Sequence, residues 1–132
     1  MGQPAAKQND QAIGVDIHIY LIPAAAGAPV PTPLPSPFAG MLDSGLEQSV
    51  LVMGQPVAVM GSIAHNQPPH MPQGGPFQVP PTNQGSVMQA SSTVLAGGKG
   101  IARNGDLVQS CMDAGWAQQP MIIAVSTVLV GG

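Results

Sequence analysis

Charge is scarce in this chain. Three basic and six acidic side chains stand among 132 residues, 7% where a soluble domain usually carries about a quarter. Three basic groups and a net charge of −3 cannot neutralise a row of phosphates, which excludes nucleic-acid binding. Two Phe, one Tyr and one Trp leave no aromatic-centred core. A single cysteine, Cys111, excludes an internal disulfide and leaves packing, catalysis or metal binding. No long apolar run is present: Met121–Val130 is interrupted by Ser126 and Thr127 and has about half the length of a spanning helix. The opening MGQPAAKQND lacks the apolar stretch of a secretory signal, so synthesis in the cytoplasm is expected.

What is present argues for a fold. The chain is 44% hydrophobic, which excludes disorder of the charged, apolar-poor kind. With 17 Gly and 15 Pro and almost no large rings, the expected body is thin and rich in strands. The length suits a single domain, residues 1–132, burying roughly two-thirds of its unfolded surface.

A repeat organises it. Ser49–Ser62 (SVLVMGQPVAVMGS) and Thr93–Asp106 (TVLAGGKGIARNGD) align without gaps at an offset of 44. Each reads as an apolar run, a glycine turn and a second run, which is a β-hairpin pattern. A third copy arises if the chain is read as circular, with Thr127–Gly132 as its first half and Gly2–Asp10 as its second. The two ends are therefore expected to meet and close a ring of three units.

Between the repeats, Ile13–Ile22 alternates apolar and polar residues and reads as a strand, with Asp16 and His18 on one face. Ala24–Phe38 carries five prolines and is expected to be an extended polyproline-like loop. Gln67–Asn83 reads as a second proline-rich loop, Met121–Val130 as one buried strand, and Met41–Gln48 as a helical turn with Asp43 as N-cap.

Each repeat unit is followed by at least one zinc-type ligand. Counted from Asp10, Ser62 and Asp106, the residues His18, His65, His70 and Cys111 lie eight, three, eight and five residues on. If the three units surround an axis, these four side chains converge. Three imidazoles and a thiolate complete a closed tetrahedral zinc site, a suitable staple for a domain with little core. Taken singly, His18 also reads as a half-buried polar residue and Cys111 as a small buried hydrophobe. Catalytic candidates are few. A Cys–His dyad of Cys111 with His65 or His70 lacks supporting context. The six acids show no pairing, and the glycine-rich Gly97–Gly100 lacks the surroundings of a phosphate cradle. Asp10 and Asp106 read as turn caps.

These residues resemble the PAAR-repeat family, tip proteins of contractile injection machines such as the type VI secretion system. Pro4-Ala5-Ala6-Lys7 stands in the place of the family's Pro-Ala-Ala-Arg, with degenerate copies at Pro56-Val57-Ala58-Val59 and Gly100-Ile101-Ala102-Arg103. The following Gly-Asp is kept as Gly105-Asp106, weakened to Gly61-Ser62, and is Asn9-Asp10 in the first copy. Departures are the missing arginine in two copies and the long proline-rich segments; residues 22–48 look like an insertion.

The resemblance implies an all-β cone of three pseudo-threefold β-hairpin repeats closed by the chain termini, with long Pro-rich loops. One structural zinc near its apex would be held by His18, His65, His70 and Cys111. It further implies a non-catalytic tip that caps a trimeric VgrG-like spike, one tip per trimer, and makes transient contact with a target membrane. Effector cargo would be carried non-covalently, since the third repeat ends at the C-terminus. Such a protein is assembled in the cytoplasm and delivered outward on firing. The rival readings are a Cys–His hydrolytic enzyme and a free-standing surface-binding β module.

Overall fold

Three short two-stranded pairs follow from their turns and from the chain ends. In the computed structural model, which describes residues 2–113 and 118–132, β4 (Glu47–Val52) and β5 (Gln55–Val57) are joined by Met53-Gly54. Likewise β8 (Leu95–Ala96) and β9 (Lys99–Gly100) are joined by Gly97-Gly98. All four turn residues have positive φ, 52° and 79° in the first turn and 59° and 82° in the second. That is the two-residue turn whose twist suits a hairpin. The third pair is made by the two ends of the chain, β1 (Gln3–Pro4) against β12 (Leu129–Val130). The registers coincide: Val52 faces Gln55, Ala96 faces Lys99, and Val130 faces Gln3.

A cycle of backbone hydrogen bonds joins these pairs. Ala6 N–H donates to Ala102, Ala102 N–H to Ala58, and Ala58 N–H back to Ala6, each at 2.9 Å. All three alanines are fully buried, so their methyl groups are what fits where the chain passes converge. One residue further on, each strand is capped from three residues downstream. Asp10 accepts from Lys7 N–H, Ser62 Oγ from Val59 N–H, and Asp106 from Arg103 N–H. The turn-capping expected of Asp10 and Asp106 is thus observed, and both also bind the side chain they cap.

The rest of the chain builds a six-stranded antiparallel sheet. Its strands are β2 (Gln11–Ile22), β3 (Val30–Ser44), β6 (Ile63–Asn66), β7 (Gln84–Val87), β10 (Val108–Gln109) and β11 (Met121–Ile123). The order is β10-β7-β6-β3-β2-β11. Its edges nearly close on one another, because Leu107 bridges Met121, Val108 N–H donates to Pro120, and Ile122 N–H donates to Asp106. The result is a nearly closed, barrel-like, all-β body with no helix among the described residues. Its interior is packed by Phe38, Leu42, Val108 and Ile122, and the ring alanines close one end of the same cluster.

Three expectations are corrected. The Ala24–Phe38 segment is not a surface loop: from Val30 it is part of β3, paired residue for residue with β2 down to Ile22↔Val30. Pro31, Pro33, Pro35 and Pro37 fall on alternate residues, so their missing N–H groups all lie on the side of β3 facing away from β2. On that side β6 pairs only with Gly40–Ser44, where the prolines have ended. Residues 41–48 contain no helical turn, since β3 runs to Ser44 and β4 begins at Glu47. Met121–Val130 is not one buried strand but two short ones with an exposed bend, where Val125 is 79% accessible.

Candidate metal centre

Alternation along β2 decides which of its side chains face inward. Asp16, His18 and Tyr20 are all fully buried, as expected for residues two apart on one face of a strand. Two further segments converge on them. The 67–83 stretch runs beside β2, with Leu21 N–H donating to Pro76 and Gln78 N–H donating to Ile19 at 2.8 Å each, and it brings in His70. The segment after β10 supplies Ser110 and Cys111, and is held by Asp113 N–H donating to Ile17 at 2.9 Å.

Asp16, His18, His70 and Cys111 thereby form one cluster, their ligand atoms all within 4.8 Å of one another. Asp16 Oδ2 lies 2.9 Å from His70 Nε2, 3.8 Å from His18 Nε2 and 3.5 Å from Cys111 Sγ. Cys111 Sγ is 3.8 Å from His18 Nε2. The outer oxygen of Asp16 accepts a short hydrogen bond from Ser110 Oγ. The Asn66 amide nitrogen lies 3.4 Å from His70 Nδ1. Above the cluster, Phe77 meets the His18 ring edge-on with centroids 5.7 Å apart, closing the site with an apolar lid.

Of the four ligands expected from the sequence, the fold brings His18, His70 and Cys111 together and places His65 elsewhere. His65 sits on β6 beside Asn66, and the two point to opposite faces. Asn66 is buried and turns toward His70, while His65, a third exposed, hydrogen-bonds Asp43. Asp16 occupies the fourth corner. Its signal was already present in the alternation with His18; what that pattern did not reveal was that His65 faces outward.

The electrostatics are those of a buried, mutually compensating set. Burial works against a charged imidazole at His18 and His70, but hydrogen bonds to Asp16 and then to Cys111 outweigh it and raise both to about 9. Burial likewise opposes ionised Asp16, yet hydrogen bonds from His18, His70 and Ser110 hold its carboxyl well below the usual carboxylate range. For Cys111, burial pushes the thiol up and the two histidines more than reverse this, so its pKa falls.

The donor set fits a divalent metal. A tetrahedral zinc with the usual bond lengths spaces its N, O and S ligand atoms about 3.3–3.6 Å apart, and the separations here straddle that range. His18 Nδ1 is buried without a hydrogen-bond partner, although a metal-bound imidazole normally engages its second nitrogen.

Fold and site together define a small all-β domain, its strands gathered by a ring of short pairs, with an Asp-His-His-Cys cluster able to hold a metal ion. Residues 78–132 match the family model of the PAAR motif, which supports a PAAR-repeat protein of the spike-tip type. Neither the curated proteins nor the solved structures returned a match.

Proposed function

We propose that this protein is the non-catalytic, zinc-stapled tip of a trimeric VgrG-like spike in a contractile injection or type VI secretion system. The observation that carries this reading is the hydrogen-bond cycle Ala6–Ala102–Ala58, taken with the PAAR-motif match. Two similar hairpins and the paired chain ends, set around one cycle, would give a single chain pseudo-threefold symmetry. That symmetry suits one tip on a threefold spike end.

The docking face follows from the hairpin registers. Leu51, Leu95 and Leu129 occupy equivalent places, each just before an inward-facing Val52, Ala96 or Val130. They are 60%, 57% and 64% accessible while the neighbours are at most 3% accessible. Three exposed leucines at one repeated position form an apolar set that a trimer would cover, one to each subunit.

Zinc would be held by Asp16, His18, His70 and Cys111. When bound, it supplies a cross-link between β2, the 67–83 segment and the segment after β10. The chain's own residues prepare this: Ser110 orients the Asp16 carboxylate, and Phe77 keeps water off His18. Contact with a target membrane and the carrying of effector cargo belong to the same reading, as do assembly in the cytoplasm and delivery outward.

The test is metal analysis joined to complex formation. One tightly bound zinc per chain, and one chain per spike trimer on co-purification, support the reading. The proximity of Cys111 to His18 is also what a cysteine nucleophile needs. A metal-free chain with an alkylation-sensitive Cys111 and hydrolytic activity would overturn the tip in favour of an enzyme.

A further inference from the structure

Resting on the metal reading above, we propose that Asp113 is a positioning residue for His18: its carboxylate accepts a hydrogen bond from Nδ1–H and so aims Nε2 at the metal. Among the described residues, His18 Nδ1 is the buried side-chain polar atom that lacks a partner. The nearest acidic oxygen on that side is Asp113 Oδ1, at 4.0 Å. Nothing about the four-membered cluster requires an acid there, because Asp16 already faces the opposite nitrogen.

Asp113 is held in register with His18 by the strand itself. Its backbone N–H donates to Ile17 O at 2.9 Å, and its Oδ2 accepts from Ile19 N–H at 2.8 Å. These two bonds straddle residue 18 and leave Oδ1, among the described residues, with the imidazole between them as its neighbour, 4.0 Å from Nδ1. A movement of about 1 Å brings Oδ1 into hydrogen-bond range of Nδ1. The carboxylate is partly open, with 17% of its side chain accessible, whereas the ring it faces is 1% accessible. A carboxylate behind a ligating imidazole fixes the tautomer and raises the basicity of the coordinating nitrogen.

The contact also links the two arms of the site. Asp113 lies two residues beyond Cys111, so the segment that delivers the thiolate also sets the histidine beside it. His70, whose second nitrogen has Asn66 for company, has no such acid, and the two imidazoles are therefore supported differently.

The experiment uses the full chain, ¹⁵N-labelled, as wild type, Asp113→Ala and Asp113→Asn, metal-free and loaded with zinc or cobalt(II). In the wild type, the His18 Nδ1 proton should give a slowly exchanging, downfield signal. With Asp113→Ala the signal should be lost and zinc affinity should fall about 10–100-fold. Asp113→Asn, a neutral acceptor of the same shape that should fold in any case, should fall between the two. The cobalt–thiolate charge-transfer band per bound ion should be unchanged, because Cys111 still ligates. An unchanged His18 signal in both variants overturns the proposal. So does a zinc affinity within about twofold of wild type, since losing such a partner ordinarily costs at least about tenfold. Loss of the thiolate band also overturns it, since Asp113 would then act on the Cys111 segment. A wild-type chain that takes up neither metal refutes the zinc reading separately; the metal-free His18 Nδ1 signal then decides the Asp113 contact by itself.

Discussion

Replacing Asp16 by asparagine and, separately, His65 by alanine tests the composition of the metal centre at its most exposed point. Asp16 is fully buried with oxygens facing His70, His18 and Cys111. His65 is partly exposed and engages Asp43 on the outer face. Structural zinc sites of this kind bind with about 10–16 kcal/mol, which spread over four ligands is about 3 kcal/mol each. Asp16→Asn keeps the shape and removes the charge, so zinc affinity should fall by about two orders of magnitude. His65→Ala removes a surface pair worth about 0–1 kcal/mol and should leave zinc affinity unchanged. Competition with a chromophoric chelator measures both affinities, and circular dichroism confirms that each variant is folded. If His65→Ala abolishes binding while Asp16→Asn does not, the inward orientation of Asp16 and the four-residue centre built on it are refuted.

Truncating Leu51, Leu95 and Leu129 singly to alanine should weaken spike binding by similar amounts. Covering the exposed part of each is worth about 1–1.5 kcal/mol, roughly tenfold in Kd, with little change in the tip's own thermal stability; calorimetric titration with the trimer reads this, and one dominant leucine would contradict threefold docking. Ala58→Leu should cost about 1–3 kcal/mol in urea denaturation, because the fully buried methyl sits in the hydrogen-bond cycle with no room for a longer chain. Without metal, the raised values of His18 and His70, about 9 against 6.5, mean that their stabilising contribution is complete below about pH 6.5 and is lost as pH rises through about 9. Cys111, shifted downward, returns part of that loss as its thiolate forms. Zinc needs both nitrogens and the thiol deprotonated, so zinc affinity should instead rise across the same window; denaturation curves with and without zinc should diverge as pH increases.

Much of the scaffold was legible because it is written in short-range signals. Met53-Gly54 and Gly97-Gly98 demand tight turns, and the 44-residue offset makes two hairpins recognisable as copies. The meeting of Gln3 with Val130 followed from the same pattern read around the ends. The strand Gln11–Ile22 announced itself by period two, which also put Asp16 beside His18. The proline-rich half of β3 was misread because proline content alone is ambiguous. What matters is that Pro31 to Pro37 are spaced by two and share the side without a neighbouring strand, and pairing of that kind is a tertiary fact. The exchange of His65 for Asp16 has the same origin. A ligand count along the chain does not register which face of β6 is inside, and Asn66 rather than His65 occupies that face. Val125 exposes itself in a run that reads as uniformly buried because a bend, rather than hydrophobicity, separates β11 from β12.

The pairing of β1 with β12 sets a timetable for folding. Gln3 has no strand partner until Val130 has been made, which at ordinary translation rates takes on the order of ten seconds. The bond from Ala6 N–H to Ala102 waits almost as long. Through that interval Ala5 and Val57, both fully buried in the finished protein, belong to a ring that is still open. The ring is therefore decided only after its last strand has been synthesised. Closing so distant a contact is a slow step for an all-β topology, and chaperones have access to the open ring until the last strand arrives.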